Sequence, residues 1–184
     1  MAGDDPLLPH YLGSGDYHYV SYLRMKQLQE SFALILLDHH PDDQPGAFDE
    51  GMLSCGNWVA TARRELSLLR CDVWIRGFSD LSAALTTLSA FPQLPLFLSI
   101  DLDVLSPAEF RTDWDQGEML FSQLKEVLQT LCRGRRILGV DICGAAPCHN
   151  GAALSCDAAH NSALLDQLDS FLVESGTISF RSCE

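Results

Sequence analysis

The sequence predicts an α/β fold: a three-layer α/β/α sandwich around a mainly parallel sheet. Three observations lead there. Short apolar, partly β-branched runs alternate with longer segments whose apolar residues recur every three or four positions. The short runs are continuously apolar, as in strands covered on both faces, rather than alternating as in half-exposed ones. Three of the runs also end in aspartate, at Asp38, Asp101 and Asp141.

Taken in order, the first strand-like run is "FALILLD" (32–38), followed by the helix-like "NWVATARRELSLLR" (57–70). "DVWIRGF" (72–78) reads as a strand and "LSAALTTLSAF" (81–91) as a helix. "LFLSID" (96–101) and "RILGVD" (136–141) read as two more strands, separated by the helical "EMLFSQLKEVLQTLCR" (118–133). A last helix is expected within "AALSCDAAHNSALLDQLDSFLVES" (152–175). The turn-rich stretches of note are "PLLPH" and "PDDQPGAFDEGM", and there is no repeat, low-complexity segment or linker. With 184 residues, 47% hydrophobic and 20% charged, residues 1–184 are expected to form a single domain with a sizeable core.

The formal net charge of −13 disfavours nucleic acid and anionic membrane as partners. It is compatible with a cationic substrate, and equally with carboxylates gathered around metal. Apolar runs fall far short of the roughly 20 residues that span a bilayer. The acidic N-terminus "MAGDDPLLPH" lacks the apolar core of a signal peptide, so a cytoplasmic protein is expected. Its seven cysteines are odd in number and contain no CxxC pair, as in a protein with reduced thiols.

Ligands of open α/β sheets bind at the carboxyl ends of strands. At one such end, "LILLDHHPDDQ" crowds five potential metal ligands behind an apolar run. Asp38, His40 and Asp42 alternate, so in an extended segment they point the same way and can converge on one ion or on two. Carboxylates with an imidazole suit Mn²⁺, and Zn²⁺ less exclusively. "LSIDLDVLSP" repeats the pattern with Asp101 and Asp103. Four carboxylates in one place repel one another unless cations join them. Two divalent ions relieve that repulsion and can bring a water to hydroxide near neutral pH.

These motifs resemble those of the arginase/agmatinase (ureohydrolase) family. "DHHPD" is similar to its Asp-x-His-x-Asp motif and "SIDLDVLSP" to its Ser-x-Asp-x-Asp segment. "GSGDYHYVS" (13–21) resembles its Gly-Gly-Asp-His element with one residue, Tyr17, inserted before the histidine. "LGVDICGAAP" (138–147) resembles its Asp-x-x-Glu-x-x-Pro segment. The N-terminal region is shorter than in the family, and the strand before the Gly-Asp-His element is expected to be missing or replaced. A sheet edge left open there needs cover, which is compatible with a homo-oligomer.

The resemblance implies an arginase/deacetylase-like fold and two Mn²⁺ per chain. His18, Asp38, Asp42 and Asp101 would hold one ion; Asp38, His40, Asp101 and Asp103 would hold the other, with Asp38 and Asp101 bridging. His39 alternates out of the site. The family's proton-shuttling histidine falls on Cys55, before Gly56, where a thiol can relay a proton or act as nucleophile if its pKa is lowered, or can simply fill space. The glutamate that grips the guanidinium falls on Gly144, which cannot make that contact. Asp43, Gln44 and Asp80 are the candidates to replace it. In "EFRTDWDQGEM", Trp114, Asp115 and Gln116 suit the wall of a small-molecule pocket.

The implied activity is hydrolysis of a C–N bond in a small guanidino or amidine compound, with Cys55 and Asp103 as catalytic candidates. The alternative is a catalytically impaired metal-binding scaffold or regulatory protein of the same fold. "LLDHHP" also resembles the signature of DHH phosphoesterases, though no upstream Asp-x-Asp element precedes it. The metal-dependent deacetylases share the fold but hold one zinc and do not need Asp42 and Asp103.

Overall fold

All four strand-like runs form strands in a computed structural model that describes residues 9–45, 52–145 and 156–175. The chain order is β1 (Pro9–Gly13), α1 (Val20–Met25), β2 (Phe32–Leu37), α2 (Trp58–Glu65), β3 (Leu69–Ile75), α3 (Leu81–Ser89), β4 (Leu96–Asp101), α4 (Phe121–Cys132), β5 (Ile137–Cys143) and α5 (Cys156–Glu174). The five strands make one sheet in the order β1-β5-β4-β2-β3, and every pairing is parallel.

Both faces of the sheet are covered, which is why β2 and β4 are buried along their whole length. On β2, Phe32, Leu34 and Leu36 join Phe97 of β4 in packing against Tyr22 and Met25 of α1 and Trp58, Val59 and Ala62 of α2. Ala33, Ile35 and Leu37 face the other way, into a core built with α3, α4 and α5. The second core is the larger. Phe121, Leu124, Val127, Leu128 and Leu131 give α4 a buried stripe at helical spacing.

The connections fix the place of the site. The chain leaves β2 toward β3 by way of α2 on one face, and leaves β4 toward β5 by way of α4 on the other. The winding therefore reverses between the adjacent strands β2 and β4, and the crevice of such a sheet opens at their carboxyl ends. Asp38 and Asp101 stand there.

Several expectations need correcting. A strand does precede the Gly-Ser-Gly-Asp-Tyr-His element: β1 pairs with β5, Pro9 against Val140 and His10 against Asp141. Its five residues show no pattern of their own and take their conformation from the neighbour. β3 lies three residues earlier than expected, because the Asp80 carboxylate accepts the Arg76 and Gly77 N–H groups and turns the chain into α3. Asp141 does not end its strand. β5 continues to Cys143, and Asp141 is buried inside it as the ion-pair partner of Arg24 from α1. Pro147 of the last motif, residues 46–51 of the acidic loop and residues 152–155 of the expected last helix lie outside the described residues.

Candidate metal centre

The carboxylates converge through tight turns rather than through alternation along extended chain. Asp38 follows β2 directly, and its Oδ1 accepts the His40 N–H at 2.6 Å. After Pro41 the backbone of Asp42 enters the left-handed region, φ 49°, which an aspartate tolerates better than most residues. Across the crevice, the Asp101 Oδ1 accepts the N–H of Asp103 at 3.0 Å and caps the 3₁₀ turn Leu102–Val104. Asp103 is thereby brought beside Asp101 and not one pleat beyond it.

Two clusters result. In the first, His18 Nδ1 lies 3.1 Å from Asp38 Oδ2, 3.0 Å from Asp42 Oδ2 and 3.6 Å from Asp101 Oδ2. In the second, His40 Nδ1 lies 2.9 Å from Asp103 Oδ2 and 3.7 Å from Asp38 Oδ1. Asp38 belongs to both, one oxygen to each. Asp101 sides with His18, its other oxygen being turned to Asp103. His18, Asp38, Asp42, Asp101 and Asp103 are all buried, whereas His40 is half-exposed at the mouth.

A ring nitrogen carries at most one hydrogen, so His18 Nδ1 cannot donate to three carboxylates. His18 forms one donor set for a cation with Asp38 and Asp42 and a second with Asp101 and Cys143, and the surrounding bonds support that. His18 Nε2 bonds the Ser99 hydroxyl at 2.7 Å, which in turn meets Ser21 Oγ at 2.9 Å. A partner on the far nitrogen is the usual way to fix a ligating imidazole with its near nitrogen toward the metal. The Trp58 indole N–H donates to Asp42 Oδ2 at 2.6 Å, with its ring 4.9 Å from that of His18. The His39 N–H donates to Asp103 Oδ1 at 3.0 Å.

The protonation states agree. Burial, with Asp42 and Asp101 close by, lifts Asp38 well above the usual carboxylate range despite the attraction of His18. Burial and the neighbouring Asp101 push Asp103 up to about 6, against the His39 N–H and His40. For His18, burial opposes the charge, but Cys143, Asp38 and Asp42 outweigh it and hold the pKa well above its ordinary value. The protein alone keeps protons among these acids; divalent ions would take their place. The residues fit a binuclear metal site.

A cavity of about 290 Å³ opens over the clusters. Besides the six candidate ligands, it is lined by Gln44, Cys55 and Trp114, so those sequence candidates do gather. The Gln44 N–H donates to the Gly56 carbonyl at 2.9 Å and ties the two loops of that wall together. Burial, with Asp42 and Asp16, raises the Cys55 pKa, so the group is a thiol near neutral pH and not an activated thiolate. Trp114 stands at the mouth, its ring 6.0 Å from His40 and edge-on to it.

Other candidates do not join the cavity. Asp43 pairs with Arg63 at 3.1 Å on the surface, and Asp80 serves the turn already described. Gln116 is occupied in stapling its loop, donating to the Leu105 and Phe110 carbonyls. His39 does not line the cavity; its N–H donates to Asp103 Oδ1. Sequence reasoning missed Ser99, Trp58 and Cys143. Cys143 donates its S–H to Asp101 Oδ2 at 3.1 Å and is buried.

The topology, with its reversal between β2 and β4, finds its counterpart in solved structures. The chain has the arginase/agmatinase fold. Proclavaminate amidino hydrolase from Streptomyces clavuligerus superposes with a TM-score of 0.66 at 17% identity, over 89% of this chain and 63% of that one. A hypothetical agmatinase from Burkholderia thailandensis gives 0.65 at 18% identity, over 91% of this chain and 59% of that one. In sequence, an uncharacterized protein of Thermotoga maritima is 31% identical over 142 residues, 73% of this chain and 56% of that protein. No protein-family profile matches. The chain thus spans only about three fifths of the length of the proteins it matches. It shares their fold and carries buried His/Asp clusters able to hold metal. Among the described residues, no helix is long and apolar enough to cross a membrane.

Proposed function

We propose that the chain is a divergent ureohydrolase: a binuclear manganese enzyme that hydrolyses a C–N bond in a small guanidino or amidine compound. The observation that carries this reading is Asp38, which presents one oxygen to the His18 cluster and the other to the His40 cluster. When bound, the two ions supply a water acidified to near neutrality and a polarised reaction centre.

The remaining work falls to the chain. Ser99 holds the His18 ring through Nε2, and Trp58 holds Asp42 through Oδ2, so these donors are set before metal arrives. Asp103, beside His40 Nδ1, accepts the proton that the attacking water gives up and releases it to solvent, from which Cys55 recovers the proton it donates. Cys55, protonated and facing the cavity, donates from Sγ to the leaving nitrogen, an acid's role and not a nucleophile's. The Trp114 face and the Gln44 amide receive the non-reacting end of the substrate; an indole face attracts a cation without requiring a carboxylate. With no glutamate at Gly144, L-arginine is a poor substrate.

The test loads the protein with Mn²⁺ and measures urea or amine release from a panel of guanidino and amidine compounds. Slow hydrolysis of a small member is expected. Cys55→His should raise turnover and Cys55→Ala lower it, a general acid being worth about 10²- to 10⁴-fold. If the metal-loaded protein hydrolyses none of them and Cys55→His creates no activity, the scaffold reading replaces this one.

A further inference from the structure

The His18 cluster contains an atom that a manganese centre does not need. Cys143 ends β5, and in the sheet register it stands opposite Asp101, the last residue of β4. Residues paired across neighbouring strands point to the same face. This is the face on which Phe97, and by alternation Ser99 and Asp101, look toward α1 and α2. The Cys143 sulfur is consequently delivered to the buried side of the centre, 3.1 Å from Asp101 Oδ2, the oxygen that also faces His18 Nδ1. His18, Asp101 and Cys143 each offer a ligand atom, all within 4.8 Å of one another.

Two further observations set Cys143 apart from a small residue filling space. Its Sγ–H meets a carboxylate oxygen, although apolar packing is available to a buried thiol all along this sheet. Next to it, Gly144 has a φ of 91°, and a Cβ there would come within 2.3 Å of Asp101 Oδ1. The chain turns tightly around Asp101 at this point, which holds the sulfur against the carboxylate. The spacings of 3.6 Å from His18 Nδ1 to Asp101 Oδ2 and 3.1 Å from that oxygen to the Cys143 sulfur suit neighbouring ligands of one ion with bonds of about 2.0–2.3 Å, in a donor set distinct from that of His18 with Asp38 and Asp42.

We propose that Cys143 is a sulfur ligand of the ion at the His18 end, which makes this half of the centre selective for a softer divalent ion, such as Zn²⁺ or Co²⁺, over Mn²⁺. The inference rests on the binuclear metal reading above and amends it at one of the two positions. Binding releases the thiol proton to solvent as the sulfur–metal bond forms, with no change of oxidation state. The His40 end, with Asp38 and Asp103, has only nitrogen and oxygen donors and keeps the preference of hard ligands for manganese.

The test titrates the metal-free protein with Co²⁺ and records the near-ultraviolet sulfur-to-cobalt charge-transfer band. The wild type should show that band. Cys55→Ser, which removes the thiol that lines the cavity, should keep it. Cys143→Ser should lose it while still binding cobalt. In competition at equal concentrations, Cys143→Ser should also lose roughly tenfold or more of the wild-type preference for Zn²⁺ over Mn²⁺. Cobalt bound to the wild type at full stoichiometry with no charge-transfer band overturns the proposal and leaves the metal centre standing. The same holds if the band vanishes with Cys55→Ser. Failure of the wild type to bind Co²⁺, Zn²⁺ or Mn²⁺ at all overturns both. A wild-type or Cys55→Ser spectrum without the band refutes the proposal even if Cys143→Ser does not fold.

Discussion

Replacing Gly144 by alanine should damage both the fold and the metal centre. The glycine has a φ of 91°, where a side chain is strained by about 1–2 kcal/mol. The added Cβ would also sit 2.3 Å from Asp101 Oδ1 and 2.8 Å from the Leu102 N–H nitrogen. The second contact is with backbone, which cannot swing aside, and overpacking of that kind costs about 1–3 kcal/mol. Together these come to about 2–5 kcal/mol, a fall in Tm of roughly 4–20 °C for a chain of this size. The first contact acts on function, because Asp101 can escape only by leaving the cluster around His18. Thermal unfolding followed by circular dichroism, with and without Mn²⁺, reads the two effects separately. The variant should melt lower and should gain less from metal than the wild type does. A Tm within about 2 °C of wild type, with unchanged metal stabilisation, would refute the reasoning. For the same reason Gly144→Glu does not restore a guanidinium anchor: the first atom of its side chain already collides with a metal-site carboxylate.

Asp38→Asn should abolish binding of both ions, since one carboxylate serves both clusters; elemental analysis after Mn²⁺ loading and dialysis that still finds two ions per chain would refute the bridge. Trp58→Phe removes the indole N–H from Asp42 and should weaken metal affinity by about 10- to 100-fold, read by calorimetric titration. In the metal-free protein Asp103 is raised to about 6 from an ordinary value near 4, so the folded state holds its proton more tightly than the unfolded one. Its stabilising contribution is therefore present below about pH 4 and lost as pH rises toward 6, while metal affinity rises over the same window as the proton leaves. Urea unfolding and Mn²⁺ titration between pH 4 and about 7 check both slopes.

The parallel sheet was legible because its inner strands are buried on both faces, which writes an unbroken apolar run into β2 and a largely apolar one into β4. β1 was not, because Pro9–Gly13 is ordered by its pairing with β5 and by the Ala145 N–H that closes onto the Gly13 carbonyl. Asp141 misled for a related reason. An aspartate after an apolar run reads as a strand end, yet here Arg24, far away in sequence, neutralises it inside the strand. The metal-site carboxylates were legible from two local patterns, although turns and not strand alternation bring them together. Ser99 stands in the quoted Ser-x-Asp-x-Asp segment, but its contact with His18, 81 residues away, and that of Cys143 with Asp101, 42 residues away, could not be read from the local sequence. The signal that could have found Cys143 is the strand register: two places after Asp141, it shares that residue's face and falls beside Asp101.

His18 is the sternest test of that kind of reading, because the inserted Tyr17 threatens to turn it out of the centre. The chain absorbs the extra residue in a single 3₁₀ turn, Gly15–Tyr17, closed by the His18 N–H on the Gly15 carbonyl and started by the Ser14 hydroxyl accepting the Asp16 N–H. The turn puts Tyr17 on the surface and leaves His18 buried. A glycine at its head keeps the packing close: a Cβ on Gly15 would lie 3.0 Å from Asp101 Oδ2 and 3.2 Å from the Trp114 ring, so either side chain would have to give by a few tenths of an ångström. The same missing atom lets the turn that delivers the imidazole, the carboxylate it meets and the indole at the cavity mouth approach one another. Ser14, Gly15 and Tyr17 accordingly form one device that positions His18, and the position of the ring depends on the turn rather than on the spacing of the motif.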